Sequence, residues 1–180
     1  KLVKGIDKFS IKKNNEGKRC QIKGIDFFSG SEAFGAVPNV VVIELGDILT
    51  NQLVNDPAYH TEKTLYPNGY ETQCFFWSYF GARDNMLEYR NKVTLGTNGP
   101  VFQVWASPPD PDLSGDHAKK ILAEGASPGE AWVKVFDMVN GGRGPGNYLY
   151  FTDPFKGVLG NFFFGLSHPE VLQLFEGRLE

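Results

Sequence analysis

Cysteine and histidine are scarce in this chain of 180 residues, with two of the first and three of the second. Cys20 and Cys74 are too few for a disulfide framework or a four-cysteine zinc site. Both lie in apolar or mixed runs, where buried free thiols are the expected state, and that fits a reducing compartment; a single bridge stays open. His60, His117 and His168 show neither His-x-x-x-His nor His-x-Glu spacing, and no Cys-x-x-Cys occurs, so no metal site or cofactor is expected. No run approaches the ~20 apolar residues that span a bilayer, so no membrane association is expected. A Gly-x-Ser-x-Gly elbow is missing, and no nucleophile has a base beside it, so nothing reads as catalytic. There is no internal repeat and no low-complexity linker. Lys1 heads the sequence without a charged-then-apolar leader, which reads as an excised or processed domain.

What is abundant is aromatic: 15 Phe, 7 Tyr and 3 Trp, 14% of the chain, within 41% apolar and 22% charged residues. That composition builds the core of one ordinary domain, and 21 Gly and 11 Pro imply many turns and a strand-rich fold. The net charge of -3 hides a division. Residues 1–23 carry eight basic side chains against Asp7 and Glu16, leaving ten basic against nineteen acidic in the remainder. A basic arm on an acidic body can contact nucleic acid or an acidic partner, with Lys12, Lys13, Lys18 and Arg19 as its candidate contacts; the alternative is a flank that keeps the domain soluble.

Local signals divide the chain further. Arg19-Cys20-Gln21-Ile22-Lys23 alternates as a strand after a turn at Asn14-Asn15-Glu16-Gly17. Val40-Val41-Val42-Ile43-Glu44-Leu45 is β-branched and strand-like. Pro67-Asn68-Gly69 reads as a type I or II turn, residues 74–80 as an aromatic strand, and residues 90–95 and 101–106 as a strand pair joined through Gly96-Thr97-Asn98-Gly99-Pro100. Ser127-Pro128-Gly129-Glu130 is a capping box ahead of apolar positions 132, 135, 136 and 139, and Asn140-Gly141-Gly142 ends that helix. A second box, Ser167-His168-Pro169-Glu170, opens another helix. Residues 119–123 suggest a short helical turn, and the strip from Tyr148 to Phe164 reads as loops and strands covering the sheet. Gly141-Gly142-Arg143-Gly144-Pro145-Gly146 follows a helix instead of opening one, unlike a phosphate loop. Asp110, Asp112 and Asp116 lack the Gly and Glu of a calcium loop and read as a solvated turn.

The order of these pieces resembles the FYR domain, whose halves are called FYRN and FYRC. The FYRN-like half, residues 40–80, carries the strand with Gly46-Asp47-Ile48, then Pro57-Ala58-Tyr59-His60, the signature Leu65-Tyr66-Pro67-Asn68-Gly69-Tyr70, and Trp77-Ser78. The FYRC-like half, residues 90–179, carries Pro100-Val101-Phe102-Gln103-Val104, Gly125-Ala126-Ser127-Pro128 running to Ala131-Trp132, and Phe164-Gly165-Leu166-Ser167-His168-Pro169-Glu170-Val171. Gln73 and Cys74 stand where the family commonly has a basic residue. The resemblance implies one α+β module over residues 36–180, in which both halves form an antiparallel sheet with two capped helices of the C-terminal half beside it. Residues 1–35 then form a basic extension, a hairpin or arm.

The resemblance also implies a noncatalytic interaction and assembly module of a nuclear chromatin regulator, of the histone methyltransferase, JmjC demethylase or small FYR regulator type. Its partners are then chromatin-associated proteins, with DNA or nucleosomes reached through the basic arm. The near-contiguous halves lean toward a demethylase-like or small-regulator host. Tyr66, Pro67, Gly69, Tyr70, Trp77, Trp132, Phe164, Gly165 and Leu166 are expected to serve mainly the fold. Phe162, Phe163 and Phe164 cannot all point inward if extended, so Phe162 and Phe163 are the candidates for an exposed partner contact.

Overall fold

Alternation of apolar and polar residues, broken by turns, lays this chain out as a meander. A computed structural model describes residues 11–13, 20–22, 40–47, 53, 55–61, 64–81, 85–107, 121–143, 156–167 and 169–179. Among these residues seven strands lie in chain order in one antiparallel sheet: β1 (Ile11–Lys13), β2 (Cys20–Ile22), β3 (Val40–Asp47), β4 (Asn68–Trp77), β5 (Met86–Gly96), β6 (Gly99–Ser107) and β7 (Ile121–Gly125). Sequential neighbours pair throughout, which keeps every connection short in topology. The β1–β2 hairpin joins the sheet edge through Cys20↔Val42 and Ile22↔Val40, so the basic N-terminal strands continue the same sheet. The turn read at residues 14–17 lies outside the described residues.

Residues 121–123, read as a helical turn, belong to β7, because pairing with β6 supplies backbone partners that a turn this short could not. The edge that β7 would otherwise present is partly covered: the Lys134 ammonium donates to the Glu124 carbonyl at 2.5 Å.

Among the described residues, helices α1 (Pro128–Asn140), α2 (Lys156–Phe164) and α3 (Pro169–Leu179) cover one face of the sheet. Helix α1 begins at a working cap, with Glu130 N–H donating to Ser127 Oγ at 3.1 Å while the Glu130 carboxylate accepts from Ala126 N–H at 2.8 Å. The cap predicted for α3 includes His168, outside the described residues. Helix α2 corrects the reading of residues 156–164 as loops and strands. The segment has only Lys156 and Asn161 as polar side chains because α1 lies on one side and the sheet on the other, and a helix buried on two sides has no polar stripe to reveal its period.

The core lies between the layers. Strand positions 40, 42, 70, 74, 76, 87, 89, 93, 102 and 104 alternate inward and are buried, together with Trp132, Val135, Phe136 and Val139 of α1, Phe163 and Phe164 of α2, and Val171, Leu172 and Phe175 of α3. Aromatic rings knit it: Trp132 stacks on Phe163 at 4.0 Å between centroids, Phe76 meets Phe163 edge-on at 5.2 Å, and Phe102 meets Phe164 at 5.6 Å.

The stacked pair requires α1 and α2 to approach closely, and glycine permits it. A Cβ on Gly160 would stand 2.5 Å from Gly129 Cα and 2.6 Å from the Pro128 carbonyl carbon, all rigid backbone. Gly160→Ala gains about 1 kcal/mol of helix propensity but forces two helices apart, an overpacking cost of about 3 kcal/mol. The expected result is a net loss of about 2 kcal/mol in urea unfolding. An unchanged or raised midpoint would show that the helices separate freely.

Candidate functional site

The sequence motif Phe162-Phe163-Phe164-Gly165-Leu166 ends α2 inside the protein, and a buried helix end has four carbonyls to satisfy. Gly165, at φ 73°, lets the chain turn left-handed. Leu166 N–H then donates to the Asn161 carbonyl and Gly165 N–H to the Phe162 carbonyl, both at 2.9 Å, forming a Schellman cap. The cap leaves the carbonyls of Phe163 and Phe164, and the sheet supplies their donors. Asn91 Nδ2 reaches the Phe163 carbonyl at 2.8 Å. The Tyr70 hydroxyl and Thr72 Oγ1 both donate to the Phe164 carbonyl, at 2.8 and 3.1 Å. One residue beyond the glycine, Thr64 Oγ1 donates to the Leu166 carbonyl at 2.8 Å.

Asn91 is the centre of this network. It is fully buried, donates also to Thr72 Oγ1 at 3.1 Å, and accepts from the Trp132 indole N–H at 2.9 Å. Sheet strands β4 and β5, the end of α2 and the middle of α1 are thereby bonded together without water-exposed groups. Burial pushes the Tyr70 phenol upward, so it remains a donor throughout the accessible pH range.

Cys74 lies on the same inward face as a buried free thiol, and desolvation raises its pKa to about 12 despite the opposing hydrogen bond from Asn91, with the Glu88 charge adding to the rise. Its folded pKa exceeds the unfolded value near ~8.5, so its contribution is intact below that pH and is lost as pH rises toward 12. Native protein is expected to resist thiol reagents at neutral pH and to react fully in denaturant. Rapid labelling of the folded protein would overturn that.

The family-motif residues occupy the following places. Tyr66 is half-buried, edge-on to Phe102 at 5.0 Å, and its phenol is shifted upward by desolvation against a lowering hydrogen bond with Thr61. Pro67 is buried, and its carbonyl accepts from Tyr70 N–H at 3.1 Å across a turn whose third residue, Gly69, has φ 82°. Trp77 is half-buried beneath the Arg143 guanidinium, 5.4 Å from the ring centroid. Trp132, Phe164, Gly165 and Leu166 are all in the buried network or its cap.

The expected exposure of Phe162 and Phe163 is corrected: they are 5% and 3% exposed. Exposure would follow only from an extended strip. As a helix enclosed by α1 and the sheet, the segment turns all three phenylalanines into apolar surroundings. Lys12 and Lys13 lie on β1, the outermost strand, while Lys18 and Arg19 lie outside the described residues.

Among the described residues no helix lies on the opposite face of the sheet, which is chemically different. Register aligns Val41, Gln73, Arg90, Trp105 and Ile121 in one row, and Glu71, Lys92, Gln103 and Glu124 in the next. Glu71 accepts Arg90 at 3.0 Å and Lys92 at 3.5 Å, and Lys92 also lies over the Trp105 ring at 5.5 Å. At one end Phe75 and Met86 are 49% and 48% exposed. Among the described residues no three His, Cys, Asp or Glu side chains gather as a metal site, and no helix is long and apolar enough to cross a membrane.

Sequence reasoning missed Asn91, Thr72 and Thr64. The available signal was a polar residue at an inward position of an otherwise apolar alternation, at 72 between Tyr70 and Cys74 and at 91 between Tyr89 and Val93.

Comparison with protein families matches residues 35–96 to the F/Y-rich N-terminus family, FYRN, and residues 99–178 to the F/Y rich C-terminus family, FYRC. No curated protein matches the chain as a significant relative. The two matches meet at Thr97-Asn98, the two-residue tip of the β5–β6 hairpin, where Gly96 pairs with Gly99. Every donor of the buried network except Trp132 comes from the first match and every carbonyl it serves comes from the second. With its two halves contiguous and bonded in one sheet and one core, the chain belongs to the FYR-domain family.

Proposed function

We propose that this domain is a noncatalytic assembly module of a nuclear chromatin regulator, of the histone methyltransferase, JmjC demethylase or small FYR regulator type. FYR domains are known in chromatin regulators. The observation that carries the reading here is the division of labour between the two sheet faces. Motif residues Tyr70, Trp132, Phe164, Gly165 and Leu166 are buried holding the halves together, while the helix-free face leaves Phe75 and Met86 half exposed amid charged side chains. Half-exposed apolar side chains ringed by polar ones suit a protein contact. The test is capture of chromatin proteins on the immobilised domain, alongside assays for methyl transfer and demethylation. Retention without turnover is expected; either activity in the purified domain would overturn the proposal.

A second reading, nucleic-acid binding, is favoured by one feature, the eight basic side chains among residues 1–23. It requires DNA affinity that falls steeply with salt and disappears when those residues are removed.

A further inference from the structure

On the helix-free side of the sheet, cations lie over two aromatic rings and pair with one carboxylate. Lys92 lies over Trp105 at 5.5 Å, Arg143 over Trp77 at 5.4 Å, and Glu71 holds both Arg90 and Lys92. Of the other described carboxylates on this face, Glu44 accepts from the Leu45 and Gly46 N–H groups and Glu124 from the Gln103 amide; among the described residues Phe75 and Glu88 have neither a cation nor such a partner, and they are neighbours. Phe75 on β4 and Glu88 on β5 are register partners, which sets their Cβ atoms about 5 Å apart on one face. Phe75 is 49% exposed with no cation over its ring, and Glu88 has no ion pair, among the described residues. The next register pair, Trp77↔Met86, adds the half-exposed Met86 alongside.

We propose that Phe75 and Glu88 form the docking point for an arginine or lysine side chain on a basic segment of a partner protein. The proposal rests on the assembly-module reading and names the chemistry of the partner. The apolar stem covers Phe75 and Met86 while the charged head lies between the Phe75 ring and the Glu88 carboxylate, repeating in trans what Lys92 does between Trp105 and Glu71. Charge complementarity points the same way: beyond residue 23 the chain has nineteen acidic residues against ten basic, so the body attracts a cationic segment and repels a polyanion.

The test measures binding of a short arginine–glycine repeat peptide to the whole chain, with the citrulline version of that peptide as the neutral match. Phe75→Thr keeps a strand-favouring residue at an exposed position, and Glu88→Gln keeps the shape. Glu44→Gln, an exposed residue of β3, makes the same change in net charge elsewhere. Far-UV circular dichroism verifies that all three variants fold. Each of the first two is expected to weaken binding about fivefold to tenfold, with the control under about twofold and the citrulline peptide unbound.

Equal weakening by Glu44→Gln, or full affinity in Phe75→Thr, would reduce the effect to overall charge and overturn the docking point. Stronger binding of duplex DNA by Glu88→Gln, with the peptide unaffected, would also overturn it. The outcome separates from the broader reading. Chromatin partners still captured by both variants would remove the docking point and leave the assembly function. The expected peptide results with no chromatin partner for the intact domain would uphold the docking point and remove the assembly function.

Discussion

Asn91→Leu is expected to lower the free energy of unfolding by about 3 kcal/mol, a large loss for a near-isosteric change. Leucine fills similar space but cannot accept from the Trp132 indole or donate to the Phe163 carbonyl, contacts made at 2.9 and 2.8 Å in the core. Each group left buried without a partner costs about 2 kcal/mol, and the added apolar surface returns less than that. Thr72 keeps its donation to the Phe164 carbonyl, so the network is weakened at its centre but not emptied. Urea denaturation reads the loss as a lower midpoint at unchanged slope. Gln103→Leu, which removes only bonds on the other face to Glu124 and Trp105, is expected to stay within about 0.5 kcal/mol. Equal losses in the two variants would show that the buried network contributes nothing special.

Opening the chain between Thr97 and Asn98 is expected to give two fragments that are unfolded alone and fold together as a one-to-one complex. The cut falls at the tip of a hairpin whose strands pair from Glu88↔Ser107 to Gly96↔Gly99, so no backbone bond of the sheet is removed. What is lost is the entropic advantage of the link, equivalent to an effective concentration in the millimolar range. For a domain of ordinary stability the fragments then associate with a dissociation constant on the order of nanomolar to micromolar. Neither fragment can fold by itself, because the first would expose Tyr70, Tyr89 and Asn91 and the second Trp132, Phe163 and Phe164. Circular dichroism of each fragment and of the mixture checks this. Cooperative unfolding of either fragment alone would overturn it.

The same distinction between local and distant partners explains what could be read from the residues. The strand at residues 40–45, the pair around Gly96 to Pro100 and the capped helix from Pro128 all have signals within a few residues: β-branching, a turn, a capping box with 3.6-residue spacing. Helix α2 has no such contrast. It has no polar stripe and is interrupted by Gly157 and Gly160, of which Gly160 meets the backbone of α1. Read locally, those glycines break a helix; in the folded protein one of them allows two helices to touch. Strand β7 is equally ambiguous, since five residues from Ile121 to Gly125 become a strand through pairing with β6.

The sequence by itself determined an aromatic-rich domain of strands followed by capped helices, because alternation, turn and capping chemistry are local properties of the chain, and its motif order carried the family resemblance that implied one antiparallel sheet. Tertiary structure alone decided that Phe162 and Phe163 are interior, that Asn91 and Thr72 hold carbonyls 72 and 92 residues away, and that Phe75 and Glu88 face outward as a pair. The physical reason is that burial and hydrogen-bond satisfaction depend on what lies across the core, and no spacing along the chain records which distant carbonyl a buried amide will meet.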